Sequence, residues 1–189
     1  MKETNKIKII AEIAVNIKNN ELNKAQDIII NNYPFVPFET YHRSYTVKQK
    51  MSQFVKDGFV DRYSGDKLLN PGILKVISLL FPDEFPYHPH WKMSESHIAY
   101  WELTPTIDHI HPIAQGGEDN PDNWATTSMM HNLIKNNWTL EQLQWKLYPA
   151  GDINEWDGLT NMFIEIVDAS PNLLKDNYIL TWYKASKQI

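Results

Sequence analysis

The sequence predicts an α+β fold, mainly helical, with a small two-stranded finger at its centre. Two observations lead there. Apolar residues recur at helical spacing through both ends of the 189-residue chain, and two short β-prone runs, 106–110 and 124–127, flank a loop rich in Gly, Asn, Asp and Pro.

Residues Thr4 to Asn31 read as two short helices broken near Asn19 and Asn20, and YPFVPFETYH as an extended connector. TVKQKMSQFVKDG reads as a helix with Thr46 at its N-cap and Gly58 at its stop. A further helix starts at Asn70 and Pro71, since proline suits the first helical position, and runs through GILKVISLL. The stretch FPDEFPYHPHWKMSESH is too dense in proline and aromatics for a regular helix or central strand, and reads as an ordered loop beside the site.

After the two strands, Ser128 to Asn137 reads as a helix with Met129, Met130, Leu133 and Ile134 on its core face. Ser128, His131, Asn132, Lys135 and Asn136 lie opposite. TLEQLQWKL opens with a capping box, Thr139 and Gln142. Asp157 to Asp168 and Asn172 to Ser186 read as two more helices, assigned to core or partner contacts.

The absence of cysteine excludes disulfides, thiolate zinc sites and cysteine nucleophiles together. The N-terminus alternates charge and apolar residues, unlike a signal peptide, and no run approaches the ~20 apolar residues that span a bilayer, so the reading is cytoplasmic and not membrane-bound. A net charge of −5 argues mildly against a phosphate-binding protein. Its distribution argues the other way: between Thr40 and Lys67, Arg43, Lys48, Lys50, Lys56, Arg62 and Lys67 outnumber Asp57, Asp61 and Asp66 by three. That segment is the candidate for phosphate contact, although a solvated helix face gives the same pattern.

The run TIDHIHPIAQGGEDNPDNWATTSMMHNLIKNN carries the chemistry. Its Asp-His pair before Ile-x-Pro, its Gly-Gly loop, an Asn just before the second strand and a helix bearing Asn-x-x-Lys resemble an HNH nuclease. Segments DRYSGDKL (61–68) and HPHWKM (88–93) are similar to stretches of stand-alone bacterial HNH proteins. The resemblance implies a ββα-metal finger in which His109 is the general base, Asp108 and Asn132 are oxygen ligands to Mg²⁺ or Mn²⁺, and Asn123 ties the loop and holds the His109 backbone. An imidazole titrates near neutral pH, which suits it to taking a proton from water.

Many members of that family brace the finger with zinc on two Cys-x-x-Cys knuckles. The matching positions are Asp61, Ser64, Ser128 and His131, so no structural zinc is expected, and packing around Trp124 and Trp138 is expected to replace it. The implied organisation is an N-terminal helical region over 1–58, a nuclease core over 59–138 and a C-terminal helical region over 139–189, forming one compact unit.

Taken singly, each of these residues has a plainer reading: a structural histidine, a turn acid, a turn or surface amide. Their joint spacing raises them above it. His111 shares the strand face of His109 and reads as a rim or phosphate contact, and Lys135 as an exposed lysine that can reach phosphate. His131 competes with Asn132 as a ligand, and His88 and His90 sit around Pro89 in a packed loop where Tyr87 and Trp91 are also candidates to stack on bases. The function expected is endonucleolytic cleavage of DNA in a restriction, mobile-element or defence setting, with a homodimer compatible with double-strand cutting. A ribonuclease, a structure-specific nickase or a non-catalytic nucleic-acid-binding protein remain the alternatives.

Overall fold

The computed structural model describes residues 6–35 and 44–188, which belong to two units divided between Tyr41 and His42. In the first, α1 (Lys6–Lys18) and α2 (Leu22–Asn32) are joined where Asn20 takes a left-handed conformation (φ 59°), the break expected of the Asn pair. Ile9, Ile13 and Ala25 form a small core with Ile28 packed against it.

The second unit contains α3 (Val47–Lys56), α4 (Pro71–Leu80), α5 (Ala99–Glu102), β1 (Pro105–His109), β2 (Trp124–Ser128), α6 (Met129–Lys135), α7 (Leu140–Leu143), α8 (Thr160–Ala169) and α9 (Asn177–Ser186). The helices dominate, and β1 and β2 pair antiparallel as a two-stranded sheet, as predicted.

Local chemistry sets the helix ends. Thr46 and Gln49 form a reciprocal capping box on α3, which stops where Gly58 turns left-handed (φ 61°). Asn70 caps α4 by accepting from the Gly72 amide at 2.9 Å, and its Nδ2 donates to Thr160 Oγ1 at 3.2 Å and Ser186 Oγ at 2.9 Å. One side chain thus starts α4 and ties it to α8 and α9. Phe54, Phe59, Leu74, Tyr100, Phe163, Val167, Ile179 and Trp182 fill the core between these helices. At Gly72 a Cβ would lie 2.3 Å from the Phe163 ring, so the helices close over a position that admits no side chain.

Both faces of the small sheet are covered. α3 lies against both strands on one side, where the fully buried Asp57 accepts from the Thr126 amide and from Gln53 Nε2, each at 2.7 Å. α6 also packs against both strands.

Several expectations are corrected. The segment 172–186 is a 3-10 turn (Pro171–Lys175) followed by α9, because Asp176 caps a new start by accepting from the Tyr178 and Ile179 amides. The helix after Thr139 keeps its capping box but lasts only four residues, because Gln144 takes a left-handed conformation. α5, unanticipated, follows the Pro-rich loop, whose Phe85, Tyr87 and Trp91 pack on Tyr100. On α6 the expected faces hold in part: Met129 and Met130 pack against the core, but Leu133 and Ile134 are exposed and Lys135 is 0 % exposed. A seven-residue helix has too little apolar area to dictate its docking, and the polar face of β1 selects Asn132 and Lys135 instead. No helix among the described residues is long and apolar enough to cross a membrane.

Candidate functional site

The sheet register places His109 opposite Trp124 and Asp108 opposite Ala125. Neighbours on a strand project to opposite faces, so the two residues enter two separate networks.

His109 is buried, and its Nε2 lies 2.9 Å from Asp119 Oδ1. The same carboxylate oxygen accepts from Trp124 Nε1 at 2.9 Å and from Tyr45 Oη at 2.9 Å, while Tyr45 Oη lies 3.2 Å from His109 Nε2. Indole N–H only donates, and the tyrosine proton is already committed to Asp119. In the neutral ring these contacts favour the proton on Nε2 and the lone pair on Nδ1. Burial works against ionised Asp119, but hydrogen bonds from His109, Trp124 and Tyr45 outweigh it and hold its carboxyl below the ordinary 3.8. Neither Asp119 nor Tyr45 is among the residues singled out by the sequence motif. Asp119 lies in a loop of turn-forming acids, and Tyr45 is 64 residues from His109 along the chain.

On the other face, Asp108 Oδ2 accepts from Tyr63 Oη at 2.7 Å and pairs with Lys135 Nζ at 2.8 Å. Lys135 Nζ also donates to the His109 carbonyl at 2.6 Å and stands 5.7 Å from the centre of the Tyr63 ring. Burial and the Asp108 charge push the Tyr63 phenol well above its ordinary range, so it remains a donor. Asn132 Nδ2 reaches the Ile107 carbonyl at 3.3 Å and Thr106 Oγ1 at 3.4 Å, which turns its Oδ1 away from the strand.

The glycine loop returns the chain from β1 to β2. Asn123 Oδ1 accepts from the His111 amide at 2.8 Å, and its Nδ2 donates to the His111 carbonyl at 2.9 Å and the Glu118 carbonyl at 2.8 Å. Asn123 thus ties the loop but grips His111, not His109. Register explains the correction: Trp124 already faces His109, so Asn123 stands one step further out. A Cβ on Gly117 would sit 2.0 Å from the His111 carbonyl oxygen, so this approach requires glycine.

The four positions that match the zinc knuckles contribute to a hydrogen-bonded cluster around Asp61. This carboxylate, 1 % exposed, accepts from Thr127 Oγ1 at 2.9 Å, the Ser128 amide at 2.8 Å and the Tyr63 amide at 2.9 Å, and it lies 2.7 Å from His131 Nδ1. Ser64 Oγ accepts from the Asp66 amide at 3.2 Å within the same turn. Trp145 packs edge-on against His131 and tilted against Tyr63. Trp138 is exposed, so the expected packing around it gives way to this cluster.

The candidate nucleic-acid contacts fare unequally. Arg62 pairs with Asp57 at 2.7 Å, and its Nε donates to the Tyr148 carbonyl, so this guanidinium serves the fold. Lys135 is internal, as described. An ammonium can be buried only where charges and acceptors meet it, and Asp108 and the His109 carbonyl are what draw it in. Lys48 is exposed, Lys50 partly so, and His111 is exposed with Nε2 3.0 Å from the Gln115 carbonyl. Arg43 lies outside the described residues. His88 and His90 belong to the Pro-rich loop, where the His90 amide donates to His88 Nδ1.

Among the described residues no group of three or more His, Cys, Asp or Glu side chains converges as a metal cluster. On the face of β1 that carries Asp108, the contacts use Asp108 Oδ2 and Asn132 Nδ2, so Asp108 Oδ1 and Asn132 Oδ1, a carboxylate and an amide oxygen, are the atoms those bonds leave over. That sparse all-oxygen set fits a hard divalent cation that keeps much of its water.

Comparison with curated proteins and with solved structures yields no match. The family model described as HNH endonuclease matches residues 100–127, a segment that spans Asp108, His109, Asp119 and Asn123 and stops before α6. Over that segment, a small part of the chain, the sequence is similar to HNH endonucleases.

Proposed function

We propose that the protein is a metal-dependent endonuclease that hydrolyses DNA phosphodiester bonds. The observation that carries this reading is the state of His109: with Nε2–H held by Asp119, its Nδ1 is the basic nitrogen, on the residue after Asp108. His109 Nδ1 takes the proton of a water as the oxygen attacks phosphorus, and the bond to the 3′ oxygen breaks, leaving a 5′ phosphate and a 3′ oxygen that takes a proton from solvent water to become a hydroxyl. Asp119, Trp124 and Tyr45 hold the ring in one orientation throughout, as a base within a relay must be held. Asp108 and Asn132 would hold the divalent cation. When bound, Mg²⁺ or Mn²⁺ supplies neutralisation of charge building on the phosphate and the leaving oxygen.

The test is purified protein on supercoiled plasmid with Mg²⁺, Mn²⁺ or EDTA, beside His109→Ala. Metal-dependent nicking or linearisation, reduced by about 10²-fold or more in the variant, is the expected result. Equal cleavage by His109→Ala would falsify the mechanism. Cleavage of RNA alone would move the substrate to RNA, and no cleavage of either would leave a binding protein. Linearisation without accumulated nicks is expected only from a homodimer, since each chain holds one site.

A further inference from the structure

Lys135 is the least expected residue in the second unit: among the described residues it is the one lysine or arginine with no exposed surface. Burying an ammonium costs several kcal/mol unless its surroundings compensate. Here its Nζ joins two elements of the site at once, the Asp108 carboxylate at 2.8 Å and the His109 carbonyl at 2.6 Å. Tyr63 completes the arrangement by donating to the same Asp108 oxygen at 2.7 Å and by turning its ring towards Nζ. Tyr63 is itself held, because its amide donates to Asp61, whose carboxylate also binds Thr127, Ser128 and His131. A continuous set of contacts therefore runs from the Asp61 cluster through Tyr63 to Asp108, and through Lys135 to the backbone of His109.

We propose that Lys135 is a positioning residue for the hydrolytic site: with Tyr63 it fixes one oxygen of Asp108 and the main chain of His109, so that α6 and β1 present both side chains in a single geometry. The inference deepens the nuclease reading and rests on it. Lys135 acts from beneath the strand and touches no phosphate. Its role differs in kind from that of an exposed lysine on a helix, which would bind DNA and leave the chemical step alone.

The experiment compares the parent with Lys135→Met and Tyr63→Phe by cleavage kinetics and thermal unfolding. With folded variants, kcat is expected to fall about 10- to 100-fold for Lys135→Met and about tenfold for Tyr63→Phe, with KM for DNA unchanged. A rise in KM with kcat retained, and a shallower salt dependence of binding, would overturn the proposal in favour of a phosphate contact. Thermal unfolding of Lys135→Met, Asp108→Asn and the double variant gives a readout independent of catalysis. The double variant is expected to lose less Tm than the sum of the singles, because removing both partners of a buried pair costs less than stranding one. Additive losses would show that the two groups are not coupled, and the proposal would fail. Should Lys135→Met not fold, Tyr63→Phe decides through its kcat, since it removes a single hydroxyl. If the parent cleaves no nucleic acid, the nuclease reading falls while the thermal cycle still decides whether Lys135 holds Asp108.

Discussion

Two carboxylates to which the motif assigns no catalytic role, Asp119 and Asp61, carry much of the site's order. Asp119 gathers His109, Trp124 and Tyr45 on one oxygen. Asp119→Ala frees the imidazole to rotate and to exchange tautomers, so kcat is expected to drop roughly 10- to 100-fold while the variant stays folded by circular dichroism. An unchanged kcat would show that the ring needs no such support. Asp61 is a matter of stability. Burial raises its carboxyl, but the hydrogen bonds from His131, Ser128 and Tyr63 outweigh that and leave it below the ordinary 3.8. A lowered folded value means that its contribution is complete above pH 3.8 and is lost as the pH falls through the depressed value. Asp61→Asn is expected to cost roughly 2–3 kcal/mol at neutral pH and to flatten the acid limb of stability, read from urea midpoints across pH. A parallel acid limb in both proteins would rule this out.

The finger is a short element that other elements hold in place. Five-residue strands and a seven-residue helix bury too little apolar surface to stand alone. Asp57 fastens β2 to α3, and Asp61 fastens the turn after α3 to the start of α6. The helical scaffold is tied in the same manner by Asn70, which links α4, α8 and α9 from a fully buried position. Asn70→Ala removes the cap of α4 and strands the buried Ser186 hydroxyl, while Thr160 keeps its bond to the Asp157 carbonyl, for an expected loss of about 2–3 kcal/mol. Denaturant titration checks it, and a loss of a few tenths would reduce Asn70 to an ordinary cap.

The larger core is drawn wholly from residues after His42, whereas α1 and α2 have a small core of their own. A chain comprising residues 42–189 is therefore expected to unfold cooperatively with a Tm within a few degrees of the parent. A broad, non-cooperative transition would show that the first unit is required. The electrostatics also belong to the molecule as a whole. Of the basic residues between Thr40 and Lys67, Arg62 is spent on Asp57 and the Tyr148 carbonyl, and Lys56 donates to the Pro121 carbonyl at 3.1 Å. In a chain of net charge −5, that leaves Lys48 and Lys67 exposed and Lys50 partly exposed among the described residues of the segment.

What the sequence by itself determined was local: the helix starts at Thr46, Asn70 and Thr139, the break at Asn19 and Asn20, and the strand–loop–strand–helix order around the Asp-His pair. Caps, turns and periodicity are decided by neighbours a few residues apart, so they can be read along the chain. What only the tertiary structure decided was which side chains meet across long stretches of chain. Tyr45 reaches His109, Tyr63 reaches Asp108, Trp124 packs on the core while the Asp61 cluster stands where packing on Trp138 was anticipated, and Lys135 turns inward where its spacing pointed out. Helical spacing ranks faces by hydrophobicity, and on α6 that ranking lost to electrostatics. A buried carboxylate and an open carbonyl favour an ammonium over Leu133 or Ile134, and both were supplied by a strand more than 20 residues away.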